Sequence, residues 1–566
     1  MQWTDTAAYP YEPGKFFLGL DPQTGREVGI RTERHALTVA GSRAGKGACV
    51  IIPNLKRWPH NALVIDPKGE AAAATWEARE AMGQAVHVLD PFGRANVPDR
   101  LQARVNPLDA IDPAARTVRE DIKALADGLV IPSGDNARHW DEGSLDVVAG
   151  FIALVASSAP PENRSLVEVR HLLSGPDIGE AIDAMNGNRV CGGLMNAAAG
   201  RLLRTGNEAQ HFLSGANANT AWLDSEPMQD VLSNSTFQLA DLKAAPCTVF
   251  LVLPPEELHE HGRFLRLFVR TALRTMAKGG DTGRQCLFLL DEFFSLGRID
   301  EIAKAAGLMP GYGVQLWPIL QDLSQLVALY GRDGAGETFF GNADLHQFFG
   351  NTDKPTLEYV STGLGVTDMS EIPMPPAAPV GFSSGTGRAV GSALSGKSRG
   401  SQMAGGMLGG AVSAVGAAAR ALEQSAYQDE MAQYQREMAK HGRPRLTVDE
   451  VAQIVQKKAD VVADHMICFV HGRERVLLKP APHFRALPGQ AANAPRPSSM
   501  AEKMFMYPAA IFTGLILGGT FGAMATNRNE VLSFIFAIAG AVGLVWLNWK
   551  ADQAKIRRAK EAAKVD

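Results

Sequence analysis

The sequence has no CxxC pair, and its five cysteines (Cys49, Cys191, Cys247, Cys286 and Cys468) lie far apart with no histidine at metal-ligand spacing. That scatter excludes a cysteine-held zinc site and reads as reduced, small core residues. Charge of one sign is also missing, because 56 Lys and Arg against 60 Asp and Glu leave a formal net charge of -4. Neither a strongly basic nucleic-acid-coating protein nor an acidic disordered chain has that balance, so any nucleic-acid contact has to be local. The opening MQWTDTAAYPYEPG has neither a basic stretch nor an apolar core and predicts no secretory signal. The bulk of the chain is therefore expected in the cytosol. What is present is 566 residues, 46% of them hydrophobic, enough for roughly two to four domains and a large core.

Membrane-like composition begins near Ala501. Met504 to Thr526 is 23 residues without a charge and Val531 to Trp549 another 19, each long enough to span a bilayer. The break between them, Asn527 to Glu530, predicts a tight helical hairpin with both ends on one side. Lys550, Lys555, Arg557, Arg558, Lys560 and Lys564 follow, and the positive-inside tendency places that tail and the main body in the cytoplasm. Gly514, Gly518 and Gly522 would let the two helices approach closely. The alternative is a buried helical pair in a soluble domain.

Upstream, Pro375 to Arg420 is dominated by Gly, Ala, Ser and Pro and predicts a flexible insertion. A charged helical run, Leu422 to Lys440, leads into Arg443 to Phe484, where MICFV and RVLL look like strands. Short apolar strands followed by helices mark Phe16 to Pro107 and Cys247 to Thr367 as α/β. Between them, from about Glu142 to Gln229, apolar positions recur at helical spacing with no alternating strand. The expected organisation is a nucleotide-binding domain in pieces (1–140, 236–374 and 443–485) with an all-α insertion at 141–235. A low-complexity insertion with a charged helix (375–442), a linker (486–503), the hairpin (504–549) and a basic tail (550–566) complete it.

The strongest chemical signal is ALTVAGSRAGKGACVIIPNL. An apolar strand, Ala36 to Ala40, meets the loop Gly41, Ser42, Arg43, Ala44, Gly45, Lys46 and Gly47, and a helix follows. Small residues there let backbone N–H groups turn toward phosphates, the helix N-terminus adds positive dipole, and Lys46 reaches the terminal phosphates. The match to GxxxxGK[ST] is incomplete: Ala40 holds the first glycine position and Gly47 the hydroxyl position that ordinarily meets magnesium. A plain surface Gly-Lys-Gly turn is the competing reading. RQCLFLLDEFFSLGRI supplies the second half of such a site, since Cys286 to Leu290 suits a strand buried on both faces that ends in Asp291 and Glu292. Asp291 would hold the magnesium through water and Glu292 would act as general base. The competing reading there is an ordinary helix start. A further strand, VQLWPIL, ends at Gln321, a candidate γ-phosphate sensor or a helix cap before Leu323.

These pieces together resemble the type IV secretion coupling proteins, the TraG/TraD-like conjugation ATPases. The resemblance runs from about Phe16 to Phe484, through VAGSRAGKGACVIIPNL, VIDPKGE, HVLDPFG, VNPL, STFQLADL, TVFLVLPPEEL, LLDEFFSLGRI, MPGYGVQLWPILQDLSQLVALYG and RPRLTVDE. It implies a RecA-like α/β domain with an inserted all-α domain, ATP and Mg2+ as ligands, and a homo-hexameric ring with ATP at subunit boundaries. It also implies a bacterial inner-membrane location, with relaxase-bound DNA or effector proteins as cargo and the secretion channel as partner. The Gly-Lys-Gly ending recurs in the TraG-like branch, which leaves magnesium coordination leaning on Asp291. Asp66, Lys68 and Glu70 match a DxKGE stretch expected to end a strand beside the P-loop, near the nucleotide or the channel, with a plain helix cap as the competing reading. Family members usually carry their hairpin before the ATPase, whereas here it is expected at the far end. Two other classes share the core: an FtsK/HerA-like DNA pump unconnected to secretion, and a receptor that binds ATP with little turnover. No arginine can be assigned as the trans-acting one; Arg298 and Arg332 are nearby candidates.

Overall fold

A computed structural model describes residues 3–483, apart from 132–136, 205–206, 279–282, 300–301, 303–306, 332–340, 366–427, 433–443, 457–461 and 473. The expected linker, hairpin and tail, and all of 375–442 except a short helical piece at 428–432, lie outside the described residues. Among the described residues no helix is long and apolar enough to cross a membrane.

Among the described residues nine strands form one sheet. They are β3 (His35–Ala40), β4 (Asn61–Ile65), β5 (Ala85–Leu89), β6 (Cys247–Leu251), β7 (Cys286–Leu290), β8 (Val314–Leu320), β9 (Ala343–Phe349), β10 (Met466–Val470) and β11 (Glu474–Leu478). Their order is β11-β10-β9-β3-β8-β7-β4-β6-β5, and a separate hairpin joins β1 (Phe16–Leu20) to β2 (Glu27–Ile30). Pairing is parallel from β9 through β5, while β10 and β11 run antiparallel at one edge. The central strands are apolar at nearly every position because both faces are covered, as parallel sheets require. Alternate side chains feed different cores: Leu37, Leu63, Phe288 and Leu290 face one, and Ala36, Val64, Leu287 and Leu289 the other.

Helical chain follows β5. After α1 (Ile52–Leu55) and α2 (Glu70–Ala81), which precede β5, it comprises α3 (Val118–Leu129), α4 (Arg138–Ser158), α5 (Leu166–Ser174), α6 (Ile178–Met185), α7 (Leu194–Leu202), α8 (Asn207–Thr220) and α9 (Glu226–Leu232), and α10 (Asp241–Ala244) leads into β6. The helical run starts at Val118, upstream of the spacing that begins near Glu142. The apolar positions of α3, Val118, Ile122, Leu125, Ala126 and Leu129, already recur at helical spacing, with acidic residues on the opposite face. These helices share one hydrophobic core with a face of the sheet and with α11 (Leu258–Ala277), so they are packed on the α/β frame.

The strand readings MICFV and RVLL are β10 and β11. Between β9 and β10 the chain makes helix Lys354–Leu364, departs, and returns in helix Val448–Val455, which opens on a capping box of Thr447 and Glu450. The Arg445 N–H donates to the Gly365 carbonyl at 2.8 Å, and Ser361 Oγ donates to the Leu446 carbonyl at 2.6 Å. Departure and return points therefore touch, and an insertion of any length closes there without distorting the sheet.

Candidate nucleotide site

The loop after β3 is shaped by backbone constraints. The Gly41 N–H donates to the Phe349 carbonyl at 3.1 Å, and a Cβ on Gly41 would lie 1.8 Å from the Gly350 carbonyl oxygen, so only glycine fits. Arg43 (φ 56°) and Gly45 (φ 97°) take left-handed conformations that turn the loop back on itself. The Cys49 N–H then donates to the Gly45 carbonyl at 2.8 Å, and a π-turn, Gly47–Ile51, runs into the short helix Ile52–Leu55. Lys46 therefore sits where the helical turns begin, with backbone N–H groups at their start unpaired within the helix. A Cβ on Gly47 would meet nothing within 4 Å, so packing does not forbid a hydroxyl there.

The strand order completes the site. β8 lies between β3 and β7, so the loop, Gln321 and the Asp291-Glu292 pair emerge at one edge of three neighbouring strands. Lys46 Nζ lies 3.1 Å from Asp291 Oδ1 and donates to Glu292 Oε1. Gln321 Nε2 donates to Glu292 Oε2 at 3.1 Å. Asp322, not Gln321, caps the next helix, accepting from the Gln325 N–H at 3.0 Å. Asp291 and Glu292 do not begin an ordinary α-helix. Glu292 is left-handed (φ 49°), and its carbonyl accepts from Ser295 N–H at 2.8 Å and Ser295 Oγ at 2.7 Å, starting the tight turn Phe293–Leu296. Strain at a non-glycine residue with this placement is a feature of functional turns.

The electrostatics follow from one cation among carboxylates. Burial pulls the Lys46 pKa down, but Asp291 and Glu292 more than offset it and the net shift is upward. Burial pushes Asp291 up, Lys46 opposes, and Glu292 adds to the rise. Two carboxylates facing one ammonium leave the site short of positive charge, which a divalent cation would supply. Among the described residues no cluster of three or more His, Cys, Asp and Glu could hold a metal by itself. A magnesium ion held by Asp291, phosphate oxygens and water fits that donor set.

The DxKGE stretch departs from expectation. β4, which ends at Ile65 before Asp66, is separated from β3 by β7 and β8, so it does not lie beside the P-loop strand. It neighbours β7 instead. Burial pushes Asp66 up to about 6, backbone N–H groups of Ala72 and Ala71 pull it down, and the nearby Asp291 adds to the rise. Asp66 Oδ2 accepts from the Ala72 N–H at 2.8 Å, while Lys68 and Glu70 are exposed. Gly69 (φ 68°) passes so close to Ala95 that a Cβ would lie 2.5 Å from its Cα.

Residues with no motif of their own frame the loop. Ala44 packs on Gly350, which is left-handed (φ 65°). Asn351, 1% exposed, donates to the Gln321 carbonyl at 3.3 Å, tying the ends of β8 and β9 on either side of β3. The returning segment covers the loop: Val462 packs against Gly45, and the N–H groups of Ala463 and His483 donate to Ala44 and Ala48 carbonyls at 3.3 and 2.9 Å. Nothing local in the sequence pointed to these contacts, which, apart from that of Asn351 with Gln321, join positions more than 300 residues apart. Of the two arginine candidates, the carbonyl of Arg298 accepts from Arg266, and Arg332 lies outside the described residues.

A family model described as Type IV secretory system Conjugative DNA transfer matches residues 7–371. Protein VirD4 of Agrobacterium fabrum is 30% identical over 345 residues, covering 58% of this chain and 49% of VirD4. Conjugal transfer protein TraG of Escherichia coli is 27% identical over 387 residues, covering 63% of this chain and 59% of TraG. The chain thus spans about half the length of the curated relatives it matches. Two solved structures of the coupling protein TrwB share the fold. One is the trigonal form with sulphate (TM-score 0.53, 15% identity, 84% of this chain and 96% of that one), the other the complex with ADP and Mg2+ (TM-score 0.53, 14% identity, the same coverage). The frame is accordingly a RecA-like P-loop fold built on a mixed sheet, and with a family model matching more than half of its residues the chain belongs to the type IV secretory system conjugative DNA transfer family, that of the coupling proteins.

Proposed function

We propose that this chain is a coupling ATPase that recruits relaxase-bound DNA or an effector protein and drives it into a type IV secretion channel. The observation that carries the ATPase part is the convergence of Lys46, Asp291, Glu292 and Gln321 at one edge of adjacent strands. Lys46 leaves its carboxylates for the β- and γ-phosphates, Asp291 holds Mg2+, Glu292 orients the attacking water and takes its proton, and Gln321 reports the γ-phosphate to Glu292. Bound magnesium supplies charge neutralisation between the phosphates. The family's function and the VirD4 and TraG relatives support the DNA-transfer part. A homo-hexameric ring, and inner-membrane anchorage by 504–549 with the body and tail cytoplasmic, belong to the same reading.

Comparing Lys46→Ala with Glu292→Gln tests it. Both are expected to lose phosphate release, while Glu292→Gln still holds ATP; wild-type turnover in both would end the ATPase reading. A receptor with little turnover is the second reading, favoured by Gly47 standing where a hydroxyl would meet magnesium. It predicts ATP binding by the unaltered protein with no hydrolysis. An FtsK/HerA-like pump predicts DNA-stimulated hydrolysis without need of the secretion channel. Deleting 504–566 is expected to release the protein from membranes on fractionation.

A further inference from the structure

Behind the strand end that carries Asp291 and Glu292 lies a cleft of about 810 Å³ that the nucleotide site leaves unused. One wall is α11, another the start of α4 with the end of α3, and the third is Ser295 to Arg298, part of the turn that Glu292 begins. Five arginines line it against three carboxylates. Arg270 pairs with Asp127 and Arg138 with Glu142. Arg263 is different. Its Nη2 donates to Asn219 Oδ1 at 3.2 Å, its Nε has no hydrogen-bond partner, and no carboxylate of the described residues pairs with it. Burial alone acts on its basicity, lowering it. A half-buried guanidinium without a counter-charge costs stability that a packed apolar residue would not.

We infer that this cleft binds backbone phosphate of a nucleic-acid strand through Arg263, and that its filling acts on Glu292 through the Ser295 to Arg298 wall. This deepens, and rests on, the reading of the chain as a DNA-transfer ATPase. The guanidinium fork matches a phosphate, and Leu145, Leu258 and Ile131 in the lining suit sugar carbons. No Trp, Tyr or Phe lines the cleft and His259 is its one aromatic ring, so contact with phosphate, which carries no sequence information, dominates the grip. The wall is held at both ends: Ser295 donates twice to the Glu292 carbonyl, and Arg266 of α11 donates to the Arg298 carbonyl. A strand pressing on α11 and this turn therefore bears on the residue that positions the attacking water.

The test uses the full chain, a labelled oligo(dT) of about 30 nucleotides in a binding assay across a salt series, and ATP turnover with and without that oligonucleotide. Arg263→Gln removes the proposed ligand. Gly262→Glu is a second, independent probe, because a Cβ on Gly262 meets only the Ser295 carbonyl oxygen at 3.9 Å and a side chain there enters the cleft unobstructed. Arg263→Gln is expected to weaken binding about tenfold and to reduce the salt slope by about 0.7. Gly262→Glu is expected to bring the stimulated-to-basal turnover ratio down to about one. Gly262→Ala, the volume control, should keep the wild-type ratio, and melting curves on the same samples report folding. Wild-type affinity and stimulation in both Arg263→Gln and Gly262→Glu would overturn the cleft while leaving the motor reading intact. Polyglutamate binding that is lost in the same variants would overturn it in favour of an acidic protein segment. A wild-type chain that neither binds the oligonucleotide nor responds to it would overturn the motor reading as well.

Discussion

Lys46→Ala should unfold more easily than the wild-type protein even with no nucleotide present. Lys46, Asp291 and Glu292 have side chains 17%, 15% and 29% exposed, so the alanine variant leaves two largely buried carboxylates facing each other. Removing one partner of a buried pair costs about 3–5 kcal/mol. Partial exposure, with the hydrogen bonds that Gln321 and the Glu292 N–H still supply, reduces the expected loss to about 2–3 kcal/mol. Glu292→Gln keeps the contact of Lys46 with Asp291 and removes one negative charge, so its loss should stay below about 1 kcal/mol. The pH dependence has a definite sign. The Asp291 pKa is raised in the fold, so its contribution is full below the usual 3.8 and declines as pH rises through the folded value. The Lys46 pKa is also raised, so the stability it brings is full below 10.5 and is lost above that, as pH rises through its folded value. At neutral pH the lysine is therefore compensating ionised carboxylates, and the gap between wild type and Lys46→Ala should narrow as pH falls toward about 4. Urea unfolding at neutral and mildly acid pH measures it. An unchanged midpoint at neutral pH, or a gap that widens in acid, would refute the argument that Lys46 rests on both carboxylates.

Asp66→Asn keeps an acceptor for the Ala72 N–H but removes a buried ionisation. With its pKa raised from 3.8 to about 6, Asp66 withdraws stability as pH rises through that window, up to about 3 kcal/mol, and the asparagine variant should lack this slope in melting curves taken between those values. Gly350→Ala combines a left-handed residue (φ 65°) with a Cβ placed 2.2 Å from that of Ala44, so it should cost about 1–3 kcal/mol and raise the KM for ATP by displacing the P-loop. An unaltered KM would show that the Gly350 contact does not shape the loop. Replacing 366–444 by a few Gly and Ser residues should leave the melting temperature within a few degrees of wild type, because Gly365 and Arg445 are already hydrogen-bonded at 2.8 Å. Failure of that protein to fold would assign the insertion a structural role.

How far each feature could be read from the chain depends on how local its cause is. Asp291 and Glu292 were legible because they follow the unbroken apolar run of β7, as a strand buried on both faces needs, Lys46 because a glycine-containing loop follows β3, and Gln321 because it directly follows β8. β9 was not. His346 and Gln347 sit mid-strand in ADLHQFF, buried at 6% and 0%, and the Gln347 side chain is used by Thr38 across the sheet. α3 was counted with the α/β piece although its apolar positions stand at helical spacing, and only the structure shows it packing with the helical run and pairing Asp121 with Arg274 of α11 and with Lys278, the residue after that helix. The DxKGE stretch was placed beside the wrong strand because proximity in sequence to the P-loop says nothing about strand order.

The sequence by itself marked most of the strands and helices, β9 and α3 apart, and singled out the four side chains that the fold brings together, because periodicity and short motifs act over a few residues. Only the tertiary structure decided that β8 lies between β3 and β7. That placement sets Lys46 against Asp291 and Glu292 and brings Gln321 onto Glu292, while the pairing of β9 on the other side of β3 puts Gly350 under the loop. Strand order comes from pairing residues hundreds of positions apart, and it is fixed by the burial of two whole sheet faces and not by any single local preference.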